Sequence, residues 1–148
     1  MPRGINAQAT LYNTYKNPLT KTTQFRPVIL EAVHWENNKG ASVNATGIIE
    51  DSAASFMVWF DVKAQGRIYV SPKAYARLNP EEVDGCWTIT EGSDRVIKGV
   101  VPNAEVTENL SLIMAMYDDG FGIMSVDTRD MGPKHLWHWD VALGGRRQ

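Results

Sequence analysis

Val28-Ile29-Leu30-Glu31-Ala32-Val33-His34-Trp35 is the stretch that indicates the class of fold. Positions 28, 30, 32 and 34 share one side of an extended chain, and positions 29, 31, 33 and 35 share the other. Such a run, rich in β-branched and aromatic residues, is typical of a β-strand. Glu36-Asn37-Asn38-Lys39-Gly40 follows it with the composition of a turn.

Short segments of the same kind recur along the rest of the chain. The pattern predicts further strands at 47–49, 55–62, 67–70, 86–90, 95–101, 109–117, 121–127 and 135–141. Ala64-Gln65-Gly66 and Asp118-Asp119-Gly120 each predict a hairpin turn between neighbouring strands. Strands at this spacing favour a mainly β fold, an antiparallel β-barrel or sandwich. The regular helices that a Rossmann-type fold requires are missing from the pattern.

One short helix is predicted after the fourth of these strands. Ser71 can accept a hydrogen bond at its start, and Pro72 suits the first helical position. The helix is expected to run to Leu78 and to end at Asn79-Pro80, since the residue before proline avoids the helical region.

The first 26 residues are polar and poor in aliphatic side chains. They are expected to form an extended N-terminal arm that a partner subunit orders; a short frayed terminus is the alternative. Residues 27–143 are then the β-barrel-like domain, and residues 144–148 a flexible basic tail.

Composition argues for one domain with an ordinary core. The chain has 148 residues, 43% of them apolar and 22% charged, with a net charge of -2. This charge does not indicate a nucleic-acid or anionic-membrane surface. A single cysteine, Cys86, excludes an internal disulfide. No signal peptide and no membrane-spanning run is expected from the sequence.

No catalytic, cofactor or metal residue can be assigned from the motifs. His135, His138 and Asp140 lie close in sequence, but two histidines three apart on a strand face opposite sides and cannot readily share an ion. Asp118 and Asp119 lack the pattern of a calcium loop. Neither a nucleophile elbow nor a phosphate-binding glycine loop is present. The chain is therefore expected not to be an enzyme and to need no cofactor.

Two further surfaces are suggested by aromatic and basic residues. Trp137 and Trp139 share one side of the last predicted strand, which indicates either an interface with another subunit or a core contact. Basic residues could also share a surface with Tyr69 or Tyr75, as in an OB-like module for single-stranded nucleic acid. The residues concerned are Lys63, Arg67, Lys73, Arg77, Arg95 and Lys98.

Several stretches together resemble a known family. The similarity runs from about Val28 to Val141 and is carried by residues 32–36, 68–73, 85–88, 96–99, 125–128 and 138–141. At these distances and in this order they resemble small tailed-bacteriophage virion proteins of the minor capsid or head–tail connector type.

The resemblance implies a structural subunit of a virion, made in the cytoplasm of a bacterial host. It implies a homo-oligomeric ring between the portal or adaptor side and the tail side, through which DNA passes without sequence-specific contact. Tyr12 and Tyr15 of the arm would dock on a neighbouring subunit. The loop at 102–109 is short for one that plugs a channel. Tail or capsid decoration, and the OB-like module, remain the alternatives.

Overall fold

Six antiparallel strands close into a β-barrel, which confirms the mainly β fold and decides between barrel and sandwich. The computed structural model describes residues 5–37, 54–102, 110–117 and 119–144. The strands are β1 Ala7–Lys16, β2 Thr23–Asn37, β3 Ala54–Trp59, β4 Ile68–Tyr69, β5 Cys86–Trp87, β6 Arg95–Lys98, β7 Gly120–Arg129 and β8 His138–Gly144. The barrel order is β1-β2-β3-β8-β7-β6, while β4 and β5 form a separate parallel pair. The predicted strand at 47–49 and the tail beyond Gly144 lie outside the described residues.

The predicted N-terminal arm is wrong, because β1 is a wall of the barrel. It pairs with β2 over Ala7–Lys16 and with β6 over 9–12. Ala9 and Leu11 are fully buried in the core, and the buried polar residues Thr10 and Asn13 of the same strand find hydrogen-bond partners. A strand of low hydrophobicity can therefore be central when its polar side chains are bonded.

The barrel interior is filled by side chains from every strand of the barrel. Val28 and Leu30 face inward from the first half of β2, as the alternation predicts, but Val33 and Trp35 face inward from its second half. The register shifts where Ala7 opposes Val33 and Ala9 opposes Leu30. This β-bulge inserts one residue into β2 and so moves the odd-numbered residues to the core side.

The predicted helix after β4 is confirmed as α1, Pro72–Ala76, with the Ser71 side chain accepting from Ala74 N. The strand predicted at 109–117 is wrong: residues Leu110–Ala115 form a second helix, α2. Leu110, Ile113, Met114 and Tyr117 fit the helical period and pack on the outer face of the barrel, beside Ile97. A short apolar run fits the period of a strand as well as that of a helix, and here packing against the barrel stabilises the helix.

Both predicted hairpins are wrong. β4 pairs with β5 rather than with β3, because the turn at Gln65 and Gly66, both at positive φ, directs the chain across the edge of β2. There Glu31 N donates to Lys63 O and Ile29 N donates to Gln65 Oε1. The segment before β7 is α2, not a strand, and Asp118 lies outside the described residues.

Candidate functional site

Tyr12 and Tyr15, expected on an arm that docks on a neighbour, are 0% and 1% exposed. Tyr15 donates its hydroxyl to Leu78 O at 2.7 Å and packs edge-on against Tyr75 at 5.9 Å between ring centroids. Tyr12 packs beneath α2, and burial, with a smaller contribution from Tyr117, raises the pKa of Tyr12 to about 12. Both tyrosines are core residues, so their assignment to an interface is wrong.

Trp139 is also a core residue. Its ring stacks on Phe60 at 4.2 Å and contacts Tyr69 at 4.3 Å and Trp87 at 5.6 Å. It is 4% exposed, so the intramolecular alternative holds for this tryptophan. These rings fill the end of the barrel that β4 and β5 cover.

Trp137 differs from Trp139, because it precedes β8 and is half-buried. Its Nε1 donates to Gly132 O at 3.0 Å, and its ring meets Phe60 edge-on at 5.8 Å. Phe60 is 36% exposed, Leu136 43% and Met131 84%. We call Phe60, Met131, Leu136 and Trp137 the aromatic rim. Among the residues proposed from the sequence for an interface, Trp137 alone retains exposed surface there.

The second half of β7 has an open side. β6 opposes β7 only at residues 120–122, whereas β8 opposes it as far as Arg129. Val126 N donates to Glu91 Oε2 at 2.9 Å, so this residue points its backbone groups away from β8. Because successive residues alternate, Thr128 points the same way. Outside the ladder with β8, Thr128 N, Thr128 O and Val126 O have no hydrogen-bond partner among the described residues, and we call this side the β7 edge.

Charged side chains line the outer face of the same hairpin. Arg129 Nη2 lies 3.5 Å from Asp127 Oδ2, and Arg129 Nε lies 3.7 Å from Asp140 Oδ2. These side chains are largely exposed, so the pairs contribute little to stability. They do leave alternating charge beside the β7 edge.

The histidines do not converge on a metal site. His138 Nδ1 lies 2.9 Å from Leu136 O, and His34 Nε2 lies 2.9 Å from Glu36 Oε2. In the parts of the chain that the structure describes, no three His, Cys, Asp or Glu side chains come close enough together to hold an ion. No helix within these ranges is long and apolar enough to cross a membrane.

One of the two tyrosines expected on the nucleic-acid surface, Tyr75, is buried. Tyr75 lies on the buried side of α1, packed with Tyr15 and Val83, and is 2% exposed, so its ring cannot stack on a base. Arg67 Nη1 donates to Pro27 O at 2.7 Å and is thereby tied to the wall of the barrel.

One buried polar network was not found from the sequence. Asp94 is fully buried and accepts from Thr14 N at 2.8 Å, Thr90 N at 2.9 Å and Asn13 Nδ2 at 2.8 Å. Burial raises the pKa of this carboxyl, although the hydrogen bonds oppose the shift. Every carboxylate contact serves β1 or the loop before β6, so the network is structural.

The fold and these surfaces define a small closed β-barrel protein whose interior is occupied by its own side chains, leaving its outer surface for contacts. The chain belongs to DUF6751, a family of unknown function, whose profile matches residues 4–143. No curated protein and no solved structure matches the chain.

Proposed function

We propose that this protein is a non-enzymatic structural subunit of a tailed-bacteriophage virion, acting at the head–tail connection by assembly with copies of itself. The observation that carries the proposal is the β7 edge. Closed barrels normally leave no free strand edge, and an open one is a template for a strand of another chain. The resemblance over residues 28–141 supports the virion setting.

The occupant of the edge is a neighbouring copy of the chain. Two features support a protein strand there: the open Val126 O and the open N–H and C=O of Thr128, and the alternating charges of Asp127 and Arg129 alongside them. Opposite charges on facing strands set register. The aromatic rim lies at the end of the same hairpin and adds apolar surface. Its Trp137 and Phe60 are residue types that are enriched at protein interfaces.

Closure into a ring makes weak pair contacts sufficient. Each subunit then contributes two interfaces. The contact that closes the ring joins subunits that are already linked, so it forms at a high effective concentration. Catalysis has no part in this function, and the portal or adaptor side and the tail side of the virion supply the remaining partners.

Assembly is tested by sedimentation of wild-type protein and edge variants across a concentration series. Thr128→Pro removes an N–H that points away from β8, so the barrel stays folded while self-association weakens about tenfold or more. Thr128→Val is the matched control and should assemble as wild type does. A Met131→Ser and Leu136→Ser double variant tests the rim in the same way. Wild-type protein that stays monomeric at all concentrations, or a proline variant that assembles unchanged, contradicts the edge.

Location is tested by quantitative mass spectrometry of intact tailed particles that carry this gene. A copy number close to that of one ring, relative to the major capsid protein, supports a connector subunit. A high copy number indicates capsid decoration or tail tube. Absence from the particles overturns the virion setting.

A further inference from the structure

A cleft of about 820 Å³ lies on the outer face of the barrel, between α2 and strands β6, β7 and β8. It is separate from the aromatic rim and the β7 edge, and the proposed assembly makes no use of it. Met114 of α2 and Tyr117, which follows that helix, form one wall, and Met124 of β7 stands on the other side. Methionine side chains adapt their shape to what they contact, and they are common at surfaces that bind apolar ligands.

The floor of the cleft is backbone at Gly122, and the Met124 side chain lies over the neighbouring Gly144. Arg95 of β6 pairs with Gly122 of β7, and Gly122 pairs with Gly144 of β8. The three residues therefore form one row across the sheet, and two of them present no side chain. Glycine inside a strand weakens the strand, and it often marks a place where a ligand or another backbone approaches closely.

Packing explains some of these glycines but not Gly122. A Cβ at Gly144 would overlap the Met124 side chain, and a Cβ at Gly120 would lie 3.3 Å from Met114 Cε. A Cβ at Gly122 would meet only Gly144 O, at an ordinary 3.5 Å, and Gly122 is not among the residues at positive φ. The described structure thus has room for a side chain at 122, and the absence of one keeps the floor open.

Arg95 gives the cleft its charge. Of the described residues that line it, Arg95 alone carries a permanent charge, and no carboxylate lies among them. Its Nη1 donates to Ser93 O at 2.8 Å, which orients the guanidinium and leaves its other N–H groups available. A guanidinium held in this way binds carboxylate, sulfonate or phosphate oxygens.

We propose that the cleft binds a small amphipathic anion, with its apolar body against the Gly122 floor between the methionines and its charged group on Arg95. Apolar walls with one convergent polar group are the usual composition of a small-molecule site. The inference does not depend on the virion assignment, since the residues that line the cleft include none of the aromatic rim and neither Val126 nor Thr128.

The test uses the fluorescent anion 8-anilinonaphthalene-1-sulfonate, with decanoate and decanol as competitors. Wild-type protein should bind the dye saturably, and decanoate should displace it at about tenfold lower concentration than decanol does. Arg95→Gln should abolish the difference between the two competitors. Gly122→Val should remove saturable binding while the melting temperature stays close to that of wild type.

Thr128→Val, on the same strand but outside the cleft, is the control and should bind as wild type does. Arg95→Lys should retain part of the preference for decanoate, because it keeps the charge. The proposal is overturned if wild-type protein shows no saturable binding, if Gly122→Val binds the dye unchanged, or if decanoate and decanol compete equally in the wild type.

Discussion

Asn13 Nδ2 donates to Asp94 Oδ2 at 2.8 Å inside the barrel wall. Asp94 immediately precedes β6, and Asn13 immediately follows the last β1 residue that pairs with β6. The Asp94 carboxylate also accepts from Thr14 N. The backbone of β6 pairs with β1 at residues 9–12, and beyond them the Asp94 side chain bonds β1 instead. The Asp94 carbonyl accepts from Ile123 N of β7 at 3.1 Å. One residue thus joins two strands that do not pair with each other.

Replacing this carboxylate should cost the barrel much of its stability. In Asp94→Ala, one buried and two partly buried donors lose their acceptor, and each such loss costs about 1–3 kcal/mol. We expect the free energy of unfolding to fall by about 3 kcal/mol or more, measured by urea denaturation. Asp94→Asn keeps the shape but turns a donor toward Thr14 N or Thr90 N, so it should rescue little. An Asn variant as stable as wild type contradicts this role.

The stability contributed by Asp94 should depend on pH in an unusual direction. Burial raises its pKa above the ordinary 3.8, so the folded state binds the proton more tightly than the unfolded state. The part of the stability that comes from this pKa difference is then fully present below pH 3.8 and is lost as pH rises through the folded pKa. The hydrogen bonds that the carboxylate accepts persist at neutral pH. A carboxyl-carbon NMR titration should give a midpoint above 3.8, and the stability advantage of wild type over Asp94→Ala should shrink as pH rises through that window. A midpoint below 3.8 contradicts the prediction.

The two buried tyrosines should respond differently to loss of the hydroxyl. Tyr15→Phe removes the bond to Leu78 O and should lower the free energy of unfolding by about 1 kcal/mol. The Tyr12 hydroxyl is buried without a partner among the described residues, so Tyr12→Phe should be neutral or stabilising. Denaturation of the two variants side by side makes each the control for the other. Equal destabilisation would show that Tyr12 has a partner.

Gly144 and Met124 should be energetically coupled. A Cβ at position 144 would overlap the Met124 side chain, so Gly144→Ala should be destabilising by about 1–3 kcal/mol. In a Met124→Ala background the same substitution should cost less, because the overlapping atoms are gone. A double-mutant cycle measures this coupling, and additive effects would exclude it.

Glu91 should limit self-association through the β7 edge. Its exposed carboxylate caps Val126 N, and a charged group that covers an open strand edge protects it from pairing. Glu91→Ala should free that N–H, lengthen the edge and shift sedimentation toward larger species, while Glu91→Gln should stay close to wild type. A Glu91→Ala variant that sediments as wild type does would show that the edge is not the assembly surface.

Local features of the fold could be predicted because their causes are local. The cap on α1 depends on neighbouring residues, Ser71 and Pro72, and alternation over Val28 and Leu30 reflects one buried strand face. The candidate site was harder to predict from the sequence. Strand alternation and the preference of tryptophan for interfaces predict a surface for Trp137, but neither reveals its partner Phe60, which comes from a distant part of the chain.

The sequence by itself determined that the chain forms strands around one core, since apolar alternation and turn residues act over a few positions. Tertiary structure alone decided the rest. β1 entered the barrel because Asn13 finds Thr88 and Asp94 about eighty positions away. Residues Leu110–Ala115 became a helix because the barrel's outer face offers Ile97 and Tyr12 to cover. The β7 edge and the glycine floor also arise from strand register, which is a non-local property and therefore leaves no signature in neighbouring residues.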